Sequence, residues 1–177
     1  GGGLGIRYHQ ENPPTPKEYL DVAVSHTRDL DIKLIFEPGR TIVGNAGILL
    51  STVLYTKEAP EKSFVIVDAA MNDLIRPSLY QAYQDIWPVT KTDRTTRKVD
   101  IVGPICESGD FLAKDRTLPL FQSGDLLAVM GSGAYGFSMA SNYNSRRQAA
   151  EVIVEGNAFR ICRKRQNYED LVRGETL

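Results

Sequence analysis

The sequence predicts an α/β unit followed by an all-β region, and three observations carry that reading. A capped helix with one apolar face leads into a short apolar strand in the first forty positions. Glu37-Pro38-Gly39-Arg40 then marks a change of pattern. Beyond it, β-rich runs alternate with turn residues, and helical periodicity returns only in the tail. A length of 177 residues suffices for one ordinary domain or two small ones.

Gly1 to Gly5 is dense in glycine. Such a loop lets backbone amides approach a phosphate closely, and a flexible terminus has the same composition. The chain opens on Gly1-Gly2-Gly3 with no strand before it, so it is expected to be a piece of a longer protein. A polar, proline-rich loop covers Asn12 to Pro16. Thr15 is placed to cap a helix, with Pro16 at its first position and Glu18 completing a capping box. Leu20, Ala23, Val24, Thr27 and Leu30 follow at helical spacing. His26, one position off that stripe, is expected at the surface. Leu34-Ile35-Phe36 reads as a buried parallel strand. Loop, helix, strand and polar corner form the order that feeds a ligand-binding strand end in α/β proteins.

The β region begins with a long compatible run from Ile42 to Tyr55, interrupted at Gly44-Asn45 and Gly47. Ser63 to Asp68 is a clear strand. Ala69 to Tyr83 is mixed, with Arg76-Pro77 breaking a regular helix. Ile86 to Val89, Lys98 to Val102 and Leu126 to Met130 are further strands. Ala150 to Glu155 and Ala158 to Arg163 flank Gly156-Asn157, a two-residue hairpin turn, with the alternation of a half-buried strand. Asn167 to Arg173 reads as a short helix. Strands at this spacing indicate an antiparallel barrel or sandwich.

Composition excludes several functions. The net charge of -1 lacks the basic footprint of a nucleic-acid binder. The basic residues from Arg160 to Arg165 are interrupted by Ile161 and Cys162 and read as the exposed face of a strand. No apolar run reaches the length of a membrane-spanning helix, and no signal peptide is visible, so a cytoplasmic location is expected. The two cysteines and two histidines have no metal-ligand spacing, so no metal is expected.

Four stretches carry residues suited to chemistry. Glu37-Pro38-Gly39-Arg40 is either a plain turn or a ligand-binding corner. Cys106-Glu107-Ser108-Gly109-Asp110 places a thiol beside a carboxylate, as a proton donor and cation binder or as an ordinary polar turn. Gly131-Ser132-Gly133-Ala134-Tyr135-Gly136 surrounds one phenol with small residues. Arg76 and Tyr80 share a face if their stretch is one helical turn, and an arginine there can fork onto a carboxylate.

Taken in order, Gly-Gly-Gly-Leu-Gly-Ile, Glu-Pro-Gly-Arg, the run from Met71 to Tyr80, Cys-Glu-Ser-Gly-Asp and Gly-Ala-Tyr-Gly resemble the diaminopimelate decarboxylases. These are pyridoxal-phosphate enzymes of the alanine-racemase-like fold family. The resemblance spans essentially the whole chain and corresponds to the family's C-terminal part. It implies that residues 1–40 are the last βα part of a TIM-type barrel that binds the cofactor, and that residues 41–177 are a C-terminal, Greek-key-like β domain.

The resemblance also implies roles. Gly2 and Gly3 would hold the phosphate of pyridoxal 5'-phosphate through their amides. Glu37 would keep the pyridine nitrogen protonated, which makes the ring a better sink for the electrons left by CO2 loss. Pro38 belongs to the same cofactor corner, with Gly39 and Arg40 at the phosphate. Tyr135 would bond the phosphate or the substrate. Arg76, Tyr80 and Arg40 would bind the distal carboxylate of meso-diaminopimelate, and Glu107 its distal ammonium. Cys106 would be the acid that reprotonates the carbon. The Cys-Glu loop would serve the partner subunit's site, so a homodimer with shared active sites is implied.

The family's cofactor-anchoring lysine and ring-stacking histidine belong to its N-terminal barrel, and no lysine here sits in a matching motif. The chain alone is therefore expected to be inactive. The readings set against a diaminopimelate decarboxylase are a related decarboxylase of arginine or of a carboxylated polyamine, and a non-catalytic relative that binds a partner protein.

Overall fold

A computed structural model describes residues 3–60 and 62–176. Gly2 lies outside the described residues. Helix α1 (Pro16–Thr27) begins where the capping chemistry places it. The Glu18 amide donates to Thr15 Oγ1, and the Glu18 carboxylate accepts from the Thr15 amide at 2.7 Å. His26 is exposed. No residue of α1 is buried, and Leu20, Val22 and Val24 on it are exposed.

The expected strand at Leu34-Ile35-Phe36 is not formed. Ile35 is 78% exposed, and the segment belongs to neither sheet. A buried parallel strand requires neighbours on its edges, and among the described residues none reaches it. The run from Ile42 also begins differently. Helix α2 (Gly39–Val43) and a 3-10 turn (Gly44–Ala46) precede strand β1 (Leu49–Glu58).

Among the described residues, six strands build one sheet in the order β3-β6-β1-β2-β4-β5. They are β1, β2 (Ser63–Val67), β3 (Ile86–Pro88), β4 (Thr96–Val102), β5 (Phe111–Pro119) and β6 (Leu126–Val129). The two end strands, β3 and β5, approach one another, so the sheet nearly closes. The sheet is mixed rather than antiparallel: β2 and β4 run parallel, with Ser63 opposite Val99. A parallel pair needs a long crossover. Here it carries helix α3 (Arg76–Tyr80) and strand β3, and α3 packs against β5.

Strand β5 has no clean alternation to announce it. Its pairing with β4 slips twice, and Asp115 sits at φ 56°. An extra residue in one strand moves the following side chains to the opposite face. The core gathers side chains from across the sheet, chiefly Val53, Val65, Val67, Ile101, Leu112 and Leu127. Leu74 from the crossover completes it.

Past β6 the chain makes two short 3-10 turns and enters the hairpin β7 (Glu151–Glu155) and β8 (Ala158–Arg163). Gly156 supplies the positive φ of 59° at its tip. The expected half-burial is absent. Val154 and Phe159 are exposed, because this two-stranded sheet pairs with no other. Helix α4 (Tyr168–Leu171) closes the chain on an Asn167 cap, shorter than the sequence predicts.

Candidate active site

Three segments distant in sequence meet beside α2. Leu4 and Ile6 are buried, and the Thr41 hydroxyl donates to the Leu4 carbonyl at 2.9 Å. Gly44 lies against Ile6 so closely that a Cβ there would overlap its side chain. The glycine loop after β6 presses on the other side. The Ser132 amide donates to the Gly47 carbonyl at 2.9 Å and the Gly133 amide to Gly44 at 3.1 Å. A Cβ on Gly133 would overlap the Val43 carbonyl oxygen. Glycine is required at this crossing because two backbones touch.

That crossing presents Tyr135, which holds a left-handed backbone at φ 62° and remains 40% exposed. Two guanidinium groups face its ring, Arg40 from α2 at 5.3 Å and Arg76 from α3 at 5.1 Å. Arg76 also lies 5.6 Å from the Tyr80 ring and 5.9 Å from the Tyr8 ring. Neither arginine forms an ion pair among the described residues. The Arg76 Nε and the Tyr8 hydroxyl are buried without a hydrogen-bond partner, as are both side-chain amide atoms of Gln84. Burying polar groups without partners is costly, and the guanidinium and hydroxyl donors here are of a kind that can serve an anion.

The structure thus brings together Arg40, Arg76, Tyr80 and Tyr135, as the sequence predicts, and adds Tyr8. The signal for Tyr8 is present in the sequence: Leu4, Ile6 and Tyr8 alternate, and the first two point into the protein. Glu37, Pro38 and Gly39 lead directly into Arg40. Pro38 caps α2 and Gly39 opens it. The Glu37 carboxylate is exposed, and among the described residues it makes no hydrogen bond or ion pair. Nothing stands within 4 Å of where a Cβ on Gly3 would lie, so its backbone is open on that side.

Cys106 and Glu107 form a second group. Their loop is pinned by buried Asp110, whose carboxylate accepts from the Met71 amide at 2.7 Å and the Ile105 amide at 2.6 Å. Gly103 and Gly109 allow the close fit, since a Cβ on Gly103 would overlap Asp110 and one on Gly109 would overlap the Ser78 hydroxyl. Cys106 is an exposed free thiol. Glu107 is held from both sides: its Oε1 accepts from the Gly109 amide at 3.3 Å, and its Oε2 accepts from the Tyr143 hydroxyl at 3.2 Å. The bond to Glu107 pushes the Tyr143 phenol above its ordinary pKa. Sequence reading missed Tyr143, which lies 36 positions away. Among the described residues, no hydrogen bond or ion pair links this group to the arginine–tyrosine cluster.

Unpaired guanidinium groups, an open glycine backbone and a free carboxylate suit a ligand with a phosphate, a carboxylate and a basic ring nitrogen. The residues present therefore fit pyridoxal phosphate together with an amino-acid substrate.

The fold is that of a known class. The family model described as "Pyridoxal-dependent decarboxylase, C-terminal sheet domain" matches residues 19–133, and the chain belongs to this family. Within the family, relatives about half identical to the chain are diaminopimelate decarboxylases. That of Pseudomonas aeruginosa is 54% identical over 177 residues, which is 100% of this chain and 42% of that protein. That of Vibrio cholerae is 53% identical over 172 residues, 97% of this chain and 41% of that protein. The crystal structure of diaminopimelate decarboxylase from Helicobacter pylori complexed with L-lysine superposes with a TM-score of 0.89 at 44% identity, over 97% of this chain and 42% of that one. The chain thus spans 42% or less of the length of these relatives. No helix among the described residues is long and apolar enough to cross a membrane, and no cluster of potential metal ligands is found among them.

Proposed function

We propose that this chain supplies the C-terminal part of a pyridoxal-phosphate-dependent diaminopimelate decarboxylase, which converts meso-2,6-diaminopimelate to L-lysine and CO2 in the cytoplasm. The observation that carries the reading is the pair Arg40 and Arg76, which face Tyr135 with no acidic partner among the described residues. A lysine-forming decarboxylase must hold a second carboxylate that does not react. An arginine pair beside tyrosines does this, because a guanidinium can bind a carboxylate through two parallel bonds.

Bound pyridoxal phosphate supplies the sink for the electron pair released as CO2 leaves. The remaining work falls to this chain. Gly2 and Gly3, through their amides, and Gly39 and Arg40 would hold the phosphate. Glu37, next to Pro38, would hold the proton on the ring nitrogen. Arg76 and Tyr80 bind the distal carboxylate, assisted by Arg40, and Tyr135 bonds phosphate or substrate. Glu107 receives the distal ammonium. The Cys106 thiol gives its proton to the carbon that has lost CO2.

Cys106 and Glu107 act in the site of a partner subunit, so the complete protein is a homodimer with shared active sites. Among the described residues, no hydrogen bond or ion pair joins their loop to the arginine cluster, and this supports the division. Residues 1–40 belong to a TIM-type barrel and residues 41–177 to the β domain. The unburied stripe of α1 and the exposure of Ile35 support an apolar neighbour for the first unit.

The test is CO2 release by the complete gene product, supplied with pyridoxal phosphate and offered meso-diaminopimelate, arginine and ornithine in parallel. Preference for diaminopimelate is expected, and the 177-residue chain alone is expected to release none. Preference for arginine or ornithine would overturn the substrate assignment.

A further inference from the structure

The pair formed by Glu107 and Tyr143 is built more firmly than an exposed hydrogen bond requires. Both partners stand on one bracket, the segment Met71-Asn72. On the Glu107 side, the Met71 amide donates to Asp110, the anchor of the Cys106–Glu107 loop, at 2.7 Å. On the Tyr143 side, the Ser141 amide donates to the Asn72 carbonyl at 2.9 Å, and the Arg146 Nε donates to Asn72 Oδ1 at 2.8 Å.

The turn between these anchors is itself constrained. Asn144 and Ser145 both hold left-handed backbone, at φ 58° and 53°. The Asn142 side chain closes the turn by donating to the Arg146 carbonyl at 2.7 Å and to Gln166 Oε1 at 2.6 Å. Left-handed serine is unfavourable without compensation, and such strain persists where the surroundings impose it. The result is a phenol held 3.2 Å from the carboxylate of an otherwise exposed loop.

We propose that Tyr143 is a positioning residue that orients Glu107 for the ammonium group of a diamino dicarboxylate substrate. The proposal rests on the reading that Glu107 receives that ammonium. The Tyr143 hydroxyl donates to Oε2 and the Gly109 amide to Oε1, so each oxygen keeps lone pairs for an incoming N–H donor while the side chain is fixed. Fixing the carboxylate before binding removes an ordering cost from substrate association. Tyr143 acts through Glu107, so its contribution appears in binding rather than in the chemical step.

The experiment uses the complete protein loaded with pyridoxal phosphate and meso-diaminopimelate as substrate. Tyr143→Phe removes only the hydroxyl of a surface residue and leaves the ring, with thermal melting and cofactor absorbance as checks of folding. The expected result is a rise in KM of about three- to tenfold, the size of losing one ordinary solvent-exposed hydrogen bond. The turnover number is expected to stay within about twofold, because the hydroxyl contributes to binding alone. In a Glu107→Ala background, Tyr143→Phe is expected to change nothing further, because residues that act through one contact are not additive.

An equal rise in KM with and without Glu107 would overturn the proposal. So would an unchanged KM in Tyr143→Phe where Glu107→Ala alone raises it. An unchanged KM in Glu107→Ala would instead remove Glu107 from the substrate site, and the role of Tyr143 with it.

Discussion

Arg76 shows what single residues contribute here. Its guanidinium lies within 6 Å of three tyrosine rings, and its Nε is buried without a partner. A planar cation suits this place because it stacks on rings and still offers a fork of donors. Lysine keeps the charge and loses both properties. Arg76→Lys in the complete protein is therefore expected to raise KM for diaminopimelate about tenfold or more, as expected for a damaged buried charge contact. Cofactor absorbance should be retained, and steady-state kinetics with a cofactor titration check both. An unchanged KM would remove Arg76 from the distal carboxylate. Arg76 and Tyr80 were legible because four positions on a helix share a face. Tyr8 was legible in principle through its alternation with Leu4 and Ile6. The Tyr143–Glu107 bond was not, since no local period links positions 36 apart.

Glycine contacts decide how the elements meet. The loop after β6 can present Tyr135 to α2 only because Gly133 and Gly47 let two backbones touch. Gly133→Ala forces them apart, which is expected to cost about 1–3 kcal/mol, as overpacking does. The variant should shift the denaturation midpoint downward and weaken retention of pyridoxal phosphate together, because Tyr135 and Arg40 lie on opposite sides of that contact. Denaturant titration and cofactor dialysis measure the two effects, and loss of neither would show that the loop can move freely. Among the elements, α1, β2, β3, β4, β6 and the hairpin were readable from capping, β-branched runs and turn residues. β5 was hidden by the bulge at Asp115, and α2 by a β-compatible composition that the glycines at 44 and 47 bend into a turn.

For the whole molecule, the main core cluster is drawn from residues 53–129, and among the described residues of 1–40 the buried hydrophobics are Leu4 and Ile6. Residues 16–48 instead leave Leu20, Val22, Val24, Ile35 and Ile42 exposed. Amide hydrogen exchange on the 177-residue chain is therefore expected to show the strongest protection in β1, β2 and β4. Little protection is expected across residues 16–38, since protection follows burial and contact with the cooperative core. Equal protection in both regions would show that the first unit folds as part of the same core. The exposed stripe also predicts self-association of this chain when isolated.

Local rules were enough to identify α1, most strands and the shared face of Arg76 and Tyr80, because caps, periods and motifs act over a few neighbouring positions, and the family resemblance supplied the proposed cofactor and substrate roles. The parallel pairing of β2 with β4, the gathering of Arg40, Arg76, Tyr8 and Tyr135, and the shared bracket beneath Glu107 and Tyr143 came from elsewhere. They depend on which side chains the core buries and how the crossover returns, and long-range packing sets both.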